Sequence, residues 1–172
     1  MSNKKVFLVG PMGAGKTTIG KMLADLLKVP FLDSDRVIEE RSGADIPWIF
    51  DIEGEEGFRD RESAVLAELV EEPELVLATG GGIVLREENR QCLQKFGNVV
   101  CLTASVDQLV ERTYKDKKRP LLQVADPQQK IRELIAFRQP LYEGVSDIII
   151  NTDGRGPKVV AQEIIQQLNM KS

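Results

Sequence analysis

The sequence contains no histidine, and this absence excludes several kinds of catalytic site. Imidazole is the usual general base near neutral pH and a frequent metal ligand, and Ser-His-Asp and Cys-His sites depend on it. Any chemistry must therefore use carboxylates, lysines, arginines, backbone amides and a hard cation. Phosphoryl transfer needs little more than these groups, because it depends mainly on positioning and on neutralisation of charge.

Cysteines, long apolar runs and excess basic charge are also scarce. The two cysteines, Cys92 and Cys101, lack the spacing of a metal site, so we expect both to be reduced and structural. No apolar run approaches the roughly 18–20 residues of a membrane span. The net charge of −4 gives no support to general nucleic-acid binding. Because a predicted strand begins almost at Met1, we expect no targeting peptide and a cytoplasmic location.

The segment from Gly10 to Thr17, with the sequence GPMGAGKT, fits the phosphate-binding pattern G-x-x-x-x-G-K-[ST]. An apolar, β-prone run (6–9) precedes it, and apolar residues at helical spacing follow it (19–27). A strand, a glycine-rich loop and a helix are the order that a P-loop requires. Backbone amides and the helix N-terminus would surround phosphate oxygens, Lys16 would reach the β- and γ-phosphates, and the Thr17 hydroxyl would ligate Mg²⁺.

Beyond the P-loop, predicted strands alternate with predicted helices along all 172 residues, without a linker or a repeat. This alternation predicts an α/β fold with a parallel sheet covered by helices on both faces, in one domain spanning 1–172. Gly54 is expected to break one helical segment in two, and Ser34 or Asp35 to cap the helix that ends at Gly43. In such sheets, ligands bind at the carboxyl ends of the strands.

Unusual polar features follow three of the predicted strands. After the P-loop strand, the second strand runs into Asp33 and Asp35, which extended backbone would place on one side, and the third strand runs into a triple glycine (80–82). One of the aspartates is a natural outer partner of Mg²⁺, although helix capping would also account for both. The glycines offer backbone amides to a ligand oxygen, or form a simple turn.

Charged residues also interrupt the apolar stripes of two predicted helices. Glu62 lies in a stripe with Arg59 three residues earlier, and Arg138 occupies a position where an apolar residue is expected. Inward-facing guanidinium groups would match a carboxylate or a phosphate, whereas surface exposure is the simpler alternative. The basic run 115–119 is either a solvated loop or a lid that brings Arg119 over the phosphates.

This combination resembles the shikimate kinase family over nearly the whole chain. The resemblance rests on the P-loop together with five further motifs in order: Asp33-Ser34-Asp35, Phe58-Arg59-Asp60-Arg61-Glu62, Thr79-Gly80-Gly81-Gly82, Arg119-Pro120-Leu121-Leu122, and Arg138-Gln139-Pro140-Leu141-Tyr142. It implies a nucleoside monophosphate kinase-like three-layer sandwich, with a five-stranded parallel sheet in the order 2-3-1-4-5. It also implies ATP-dependent phosphorylation of the 3-hydroxyl of shikimate, in the pathway to chorismate and aromatic amino acids.

The resemblance further implies a role for each matching residue. The nucleotide-binding set would be Gly13, Ala14, Gly15, Lys16, Thr17, Thr18, Arg112, Arg155 and Pro157. One Mg²⁺ would be held with ATP by Thr17 and, through water, by Asp33. The shikimate-binding set would be Asp35, Arg59, Glu62, Gly80, Gly81, Gly82, Arg119 and Arg138. Lys16, Asp35 and Arg119 would be catalytic, with Asp35 either accepting the hydroxyl proton or only orienting the hydroxyl.

Within the single domain, the resemblance implies a substrate-binding subdomain at about 33–62 and a lid at about 112–124. The compact chain suggests a monomer whose partners are ATP and shikimate. Two alternatives stay open from the residues themselves. One is a kinase of similar fold that acts on gluconate or a nucleoside monophosphate, and the other is a regulator that binds ATP without transferring phosphate.

Overall fold

The computed structural model describes residues 4–114 and 126–170, in which strands and helices alternate. In chain order the elements are β1 (Lys5–Val9), α1 (Lys16–Leu27), β2 (Phe31–Asp33), α2 (Ser34–Ser42), α3 (Ile46–Leu69), β3 (Leu75–Ala78), a 3-10 turn (Ile83–Leu85), α4 (Glu87–Phe96), β4 (Asn98–Thr103), α5 (Val106–Tyr114), α6 (Pro127–Val145), β5 (Ile148–Asn151) and α7 (Pro157–Gln167). No helix among these residues is both long enough and apolar enough to cross a membrane.

The five strands form one parallel sheet in the order β2-β3-β1-β4-β5. This order confirms the predicted topology, and it places β1 at the centre, between β3 and β4. The apolar residues of β1 from Val6 to Val9 are fully buried, as expected for a central strand covered on both faces. The P-loop therefore leaves the sheet at its middle strand, next to the loop that follows β3.

Side chains of alternate strand residues fill two cores, one on each face of the sheet. Phe7 and Val9 point into a core shared with α3, α4 and α6, whereas Val6 and Leu8 point into a core shared with α1 and α7. Cys101 lies in the first core, where burial raises the pKa of its thiol to about 11. Both cysteines are free thiols in this structure.

One predicted helix break and one predicted helix end are confirmed next to the site, and one predicted cap is wrong. Gly54 has φ 74° and ψ 177° inside α3, so the helix is broken there as predicted. Gly43 has φ 72° and closes α2. The predicted cap of α2 at Ser34 or Asp35 is wrong, because the Asp33 side chain accepts the amides of Asp35 and Arg36 at 3.0 and 3.4 Å. The strand thus ends on the capping residue itself.

Candidate active site

The P-loop needs glycine at three positions because its backbone is left-handed there. Gly10, Gly13 and Gly15 have φ of 140°, 85° and 95°. A Cβ placed on Gly10 would lie 2.2 Å from the carbonyl oxygen of Leu102, so the loop also packs too closely on β4 for a side chain. Helix α1 begins at Lys16, directly after Gly15. The loop amides and the helix N-terminus thus surround one pocket.

The phosphate pocket has an empty volume of about 610 Å³ and is lined by the P-loop, by the start of α1 and by the ends of β2 and β3. Gly13, Gly15, Lys16, Thr17 and Thr18 all line it, while Ala14 is buried behind the loop. The Lys16 ammonium donates to the carbonyl oxygens of Gly10 and, at 3.1 Å, of Pro11. The cationic head thus lies along the loop, beside the space that phosphates would fill.

Thr17 and Asp33 are joined by a hydrogen bond across this pocket. The Thr17 hydroxyl donates to Oδ2 of Asp33 at 3.0 Å, while Oδ1 of the same carboxylate caps α2. A hydroxyl and a carboxylate are oxygen donors that suit Mg²⁺, which usually keeps waters and takes few protein ligands. In residues 4–114 and 126–170, no group of three or more Cys, Asp or Glu could hold a metal ion by itself. The donor set fits an ion that phosphates and water would complete.

Asp35 lies in the first turn of α2 rather than in an extended segment, so strand alternation does not explain its direction. The helix nevertheless turns it towards the same space as Asp33, and both line the phosphate pocket. Asp35 also lines a second pocket, of about 440 Å³ empty volume, on the side of α3 and α6. Its carboxylate therefore lies where the two pockets meet.

The triple glycine forms the wall of this second pocket, and each glycine faces a different ionisable side chain. A Cβ placed on Gly80 would lie 2.7 Å from Oδ1 of Asp35, and one on Gly82 would lie 2.3 Å from Nη2 of Arg59. At Gly81 the corresponding distance to Nη1 of Arg138 is 3.5 Å, an ordinary contact. Glycine is thus required at both ends of the triplet, where side chains approach the backbone directly.

Arg59 is buried and held by two carboxylates of its own helix. Its Nη1 donates to Oε1 of Glu62 at 2.9 Å, and its Nε and Nη2 each lie 3.3 Å from Oε2 of Glu55. Glu62 is fully buried, and this burial raises the pKa of its carboxyl to about 7 against the opposing effect of Arg59. Both residues line the second pocket, so the prediction of inward-facing charges on α3 is confirmed.

Arg138 reaches the same pocket from α6 and is 4% exposed. Its Nε has no hydrogen-bond partner in the described part of the chain. One turn later, the buried Tyr142 donates its hydroxyl to the carbonyl oxygen of Gly81 at 2.6 Å, and burial raises the pKa of this phenol to about 12. Helix α6 therefore touches the glycine triplet at two points, through Arg138 and through Tyr142.

The predicted adenine-side residues lie at the outer edge of the P-loop. Arg112 donates to the carbonyl oxygen of Gly13 at 2.8 Å. Arg155 lies in the loop between β5 and α7 and is paired with Glu163, and Pro157 is the first residue of α7. Arg119 and most of the predicted lid fall outside the residues that the structure describes.

Four residues that line the second pocket were not predicted as site residues: Met12, Ile46, Phe50 and Phe58. The contact of Tyr142 with Gly81 was not predicted either. Met12 is at a variable position of the P-loop pattern, and it lines both pockets. Ile46 and Phe50 occupy the first part of α3, where only helical spacing was visible. In each case the sequence offers an apolar residue but no sign of which cavity it faces.

Comparisons with known proteins agree on one family. A sequence model described as shikimate kinase matches residues 12–169. The curated shikimate kinase of Pseudomonas savastanoi pv. phaseolicola is 57% identical over 165 residues, covering 96% of each chain. The solved shikimate kinase from Acinetobacter baumannii in complex with shikimate has 50% identity and a TM-score of 0.94, covering 98% of this chain and 94% of that one.

A further solved relative, the shikimate kinase from Bacteroides thetaiotaomicron, has 34% identity and a TM-score of 0.87, and covers 96% of this chain and 98% of its own. The likeness thus extends over nearly the whole chain. The chain belongs to the shikimate kinase family.

Proposed function

We propose that this chain transfers the γ-phosphoryl group of ATP to the 3-hydroxyl of shikimate, giving ADP and shikimate 3-phosphate for the synthesis of chorismate and aromatic amino acids. The observation that carries the proposal is the pair of buried arginines, Arg59 and Arg138, on the glycine-lined pocket beside the P-loop. A relative with 50% identity was solved in complex with shikimate, which supports the same acceptor here.

The two arginines account for recognition of the acceptor's carboxylate. A guanidinium fork matches a carboxylate in shape and charge, and such pairs are stronger when they are removed from water. Arg59 and Arg138 come from different helices and converge on the glycine triplet, so a carboxylate between them would receive donors from both. Glu62 would keep Arg59 in this direction through the 2.9 Å bond between them.

The phosphate pocket would bind the donor. The amides of Gly13, Gly15 and the first residues of α1, including Lys16 and Thr18, would hold the phosphates, with Ala14 closing the loop from behind. Lys16 would move from its carbonyl partners to the β- and γ-phosphates. Arg112, Arg155 and Pro157 would border the adenine. This assignment is supported by the left-handed glycines of the loop and by the position of α1.

Thr17 and Asp33 would hold one Mg²⁺ with ATP, directly through the hydroxyl and through water for the carboxylate. Their oxygens lie 3.0 Å apart, which supports this shared role. When bound, the ion would neutralise charge on the β- and γ-phosphates. Asp33 would also keep α2 in place, since its other oxygen caps that helix.

Asp35 would lie between the phosphate donor and the acceptor, because it lines both pockets. Its carboxylate lies next to Gly80, where it would accept a hydrogen bond from the 3-hydroxyl and orient this oxygen towards the γ-phosphate. A loose transition state needs little proton removal at its start, so orientation is the contribution that the geometry supports. The hydroxyl proton would pass to this carboxylate as the new P–O bond forms.

The proposal also assigns roles to two segments of the chain. The segment at about 33–62, which includes α2 and the broken helix α3, would be the substrate-binding subdomain. The lid at about 112–124 would bring Arg119 to the transferring group and exclude water, so that hydrolysis does not compete. The monomeric state and the cytoplasmic location stay predictions.

The proposal is tested by measuring ADP release from Mg-ATP with shikimate, gluconate, AMP or no acceptor in parallel reactions. We expect release with shikimate alone. Release that is fastest with gluconate or AMP would overturn the acceptor while keeping the P-loop role. ATP binding without release under any condition would favour the regulator.

A further inference from the structure

We infer that Glu62 takes up a proton from solvent when the carboxylate of the acceptor binds to Arg59 and Arg138, so that affinity for the acceptor falls as the pH rises above neutrality. The inference rests on the proposed function, because it concerns the binding of shikimate to the same pocket. It assigns Glu62 a role beyond holding Arg59 in position.

The surroundings of Glu62 leave one of its oxygens available for a proton. The residue is 0% exposed, and Oε1 accepts the 2.9 Å hydrogen bond from Arg59. Oε2 is buried and has no hydrogen-bond partner in the described part of the chain. An ionised carboxylate with an unsatisfied buried oxygen is costly, whereas a protonated one loses only part of its attraction to Arg59. Glu62 is one of the residues that line the acceptor pocket, so this pocket is the side from which a proton would arrive.

The charges that face Glu62 are nearly balanced before the acceptor binds. Helix α3 contributes Arg59 and, on its far side, Glu55; helix α2 contributes Asp35; helix α6 contributes Arg138 and the neutral phenol of Tyr142. The glycine triplet adds no ionisable group. With Glu62 ionised, two positive charges face three negative ones.

A bound carboxylate would therefore be a fourth negative charge beside the two positive ones that the described residues contribute. It would also compete with Glu62 for Arg59, and both effects favour the neutral form of Glu62. Burial already raises the pKa of this group to about 7, so a further increase would occur in a measurable range. A pKa that is higher in the complex than in the free protein means proton uptake on binding.

The size of the effect follows from linkage. A group with a pKa of about 7 is about half protonated at pH 7, so uptake there cannot exceed about half a proton, and uptake at pH 8 is the larger of the two only if the pKa in the complex lies above about 8. At pH values between the pKa of Glu62 in the free protein and its pKa in the complex, the dissociation constant of shikimate would rise by up to about tenfold per pH unit.

The test is isothermal titration calorimetry of shikimate binding to the full chain, in two buffers of different ionisation enthalpy, at pH 7 and pH 8. We expect a buffer-dependent enthalpy that corresponds to proton uptake at both pH values. The variant Glu62→Gln keeps the shape and an oxygen acceptor for Arg59, and it should bind with a buffer-independent enthalpy and a nearly constant affinity over this range.

Two controls separate Glu62 from its neighbours. Glu56→Gln removes a carboxylate that is 88% exposed on the same helix, and it should keep the full uptake. Asp35→Asn removes a negative charge that faces Glu62, so it should lower the pKa of Glu62 and move the uptake to lower pH without abolishing it, which decides the matter if Glu62→Gln does not fold. Shikimate binding without proton uptake in the wild type would overturn the inference alone, as would unchanged uptake in Glu62→Gln or complete loss of uptake over pH 6–8 in an Asp35→Asn variant that still binds shikimate. Absence of shikimate binding would overturn the proposed function as well.

Discussion

Replacing Gly82 with alanine should weaken shikimate binding selectively, because the new methyl group would occupy the position of the Arg59 guanidinium. A Cβ on Gly82 would lie 2.3 Å from Nη2 and 2.6 Å from both Cζ and Nη1 of Arg59. No real Cβ tolerates such contacts, so one of the two groups must move. The backbone of Gly82, with φ −95° and ψ 6°, is accessible to alanine, so the effect comes from the contact and not from backbone strain.

Arg59 is the group that would move, since it is a side chain whereas Gly82 belongs to a packed turn. Its displacement would weaken the bond to the acceptor's carboxylate. A hydrogen bond to a charged group is worth about 1.5–3 kcal/mol, which corresponds to a roughly 10- to 150-fold loss of affinity. We therefore expect the KM for shikimate to rise within this range, with little change in the KM for ATP.

The assay is steady-state ADP release with each substrate varied in turn, together with thermal unfolding of each variant. Gly144→Ala is the matched control, because a Cβ at this position of α6 meets nothing within 4 Å. It should leave both KM values unchanged and should raise stability slightly, by about 0.5–1 kcal/mol, since alanine is the better helix former. A Gly82→Ala enzyme with an unchanged KM for shikimate would refute the reasoning, and equal increases in both KM values would indicate general disruption instead.

Three other substitutions test separate parts of the site. Lys16→Ala should lower kcat at least about 100-fold with the fold intact, and near-normal turnover would remove Lys16 from the reaction. Tyr142→Phe should lower the free energy of unfolding by about 1 kcal/mol, because the hydrogen bond to Gly81 is lost. It should also raise the KM for shikimate but not the KM for ATP. A KM for shikimate equal to that of the wild type would limit the role of Tyr142 to packing. Asp33→Ala should raise the Mg²⁺ concentration that the enzyme requires, and it should lower the Tm by about 2–4 °C because the helix cap is lost. Asp33→Asn should raise the Mg²⁺ requirement but keep the Tm, since asparagine can also cap a helix. Identical Tm values for the two variants would exclude the capping role.

Most of the fold could be predicted because its determinants are local or periodic. The P-loop pattern fixes a strand, a turn and a helix within a short segment, and the fully apolar strand from Val6 to Val9 indicates the centre of a parallel sheet. Gly43 and Gly54 marked a helix end and a helix break through their backbone freedom alone. The order of the strands came from the family resemblance, since no local pattern in the sequence determines which strands are neighbours.

The details of the site could not be predicted, because they depend on contacts between distant segments. Asp35 faces the pockets from a helical turn that Asp33 caps, whereas the spacing of the two aspartates suggested an extended segment. From the sequence, the glycine triplet was predicted to offer backbone amides to a ligand. The structure adds that Gly80 and Gly82 make room for Asp35 and Arg59, which are brought there by other helices. The buried hydroxyl of Tyr142 likewise has its partner 61 residues away in the chain.

The central claim is that phosphate passes from ATP to one hydroxyl of an anionic acceptor held by Arg59 and Arg138. The most direct measurement is phosphorus-31 and proton NMR of the products formed from Mg-ATP and shikimate. We expect one ADP for each shikimate consumed and a single ester at the 3-hydroxyl, without inorganic phosphate. Inorganic phosphate formed in place of the ester, or an ester at another hydroxyl, would contradict it.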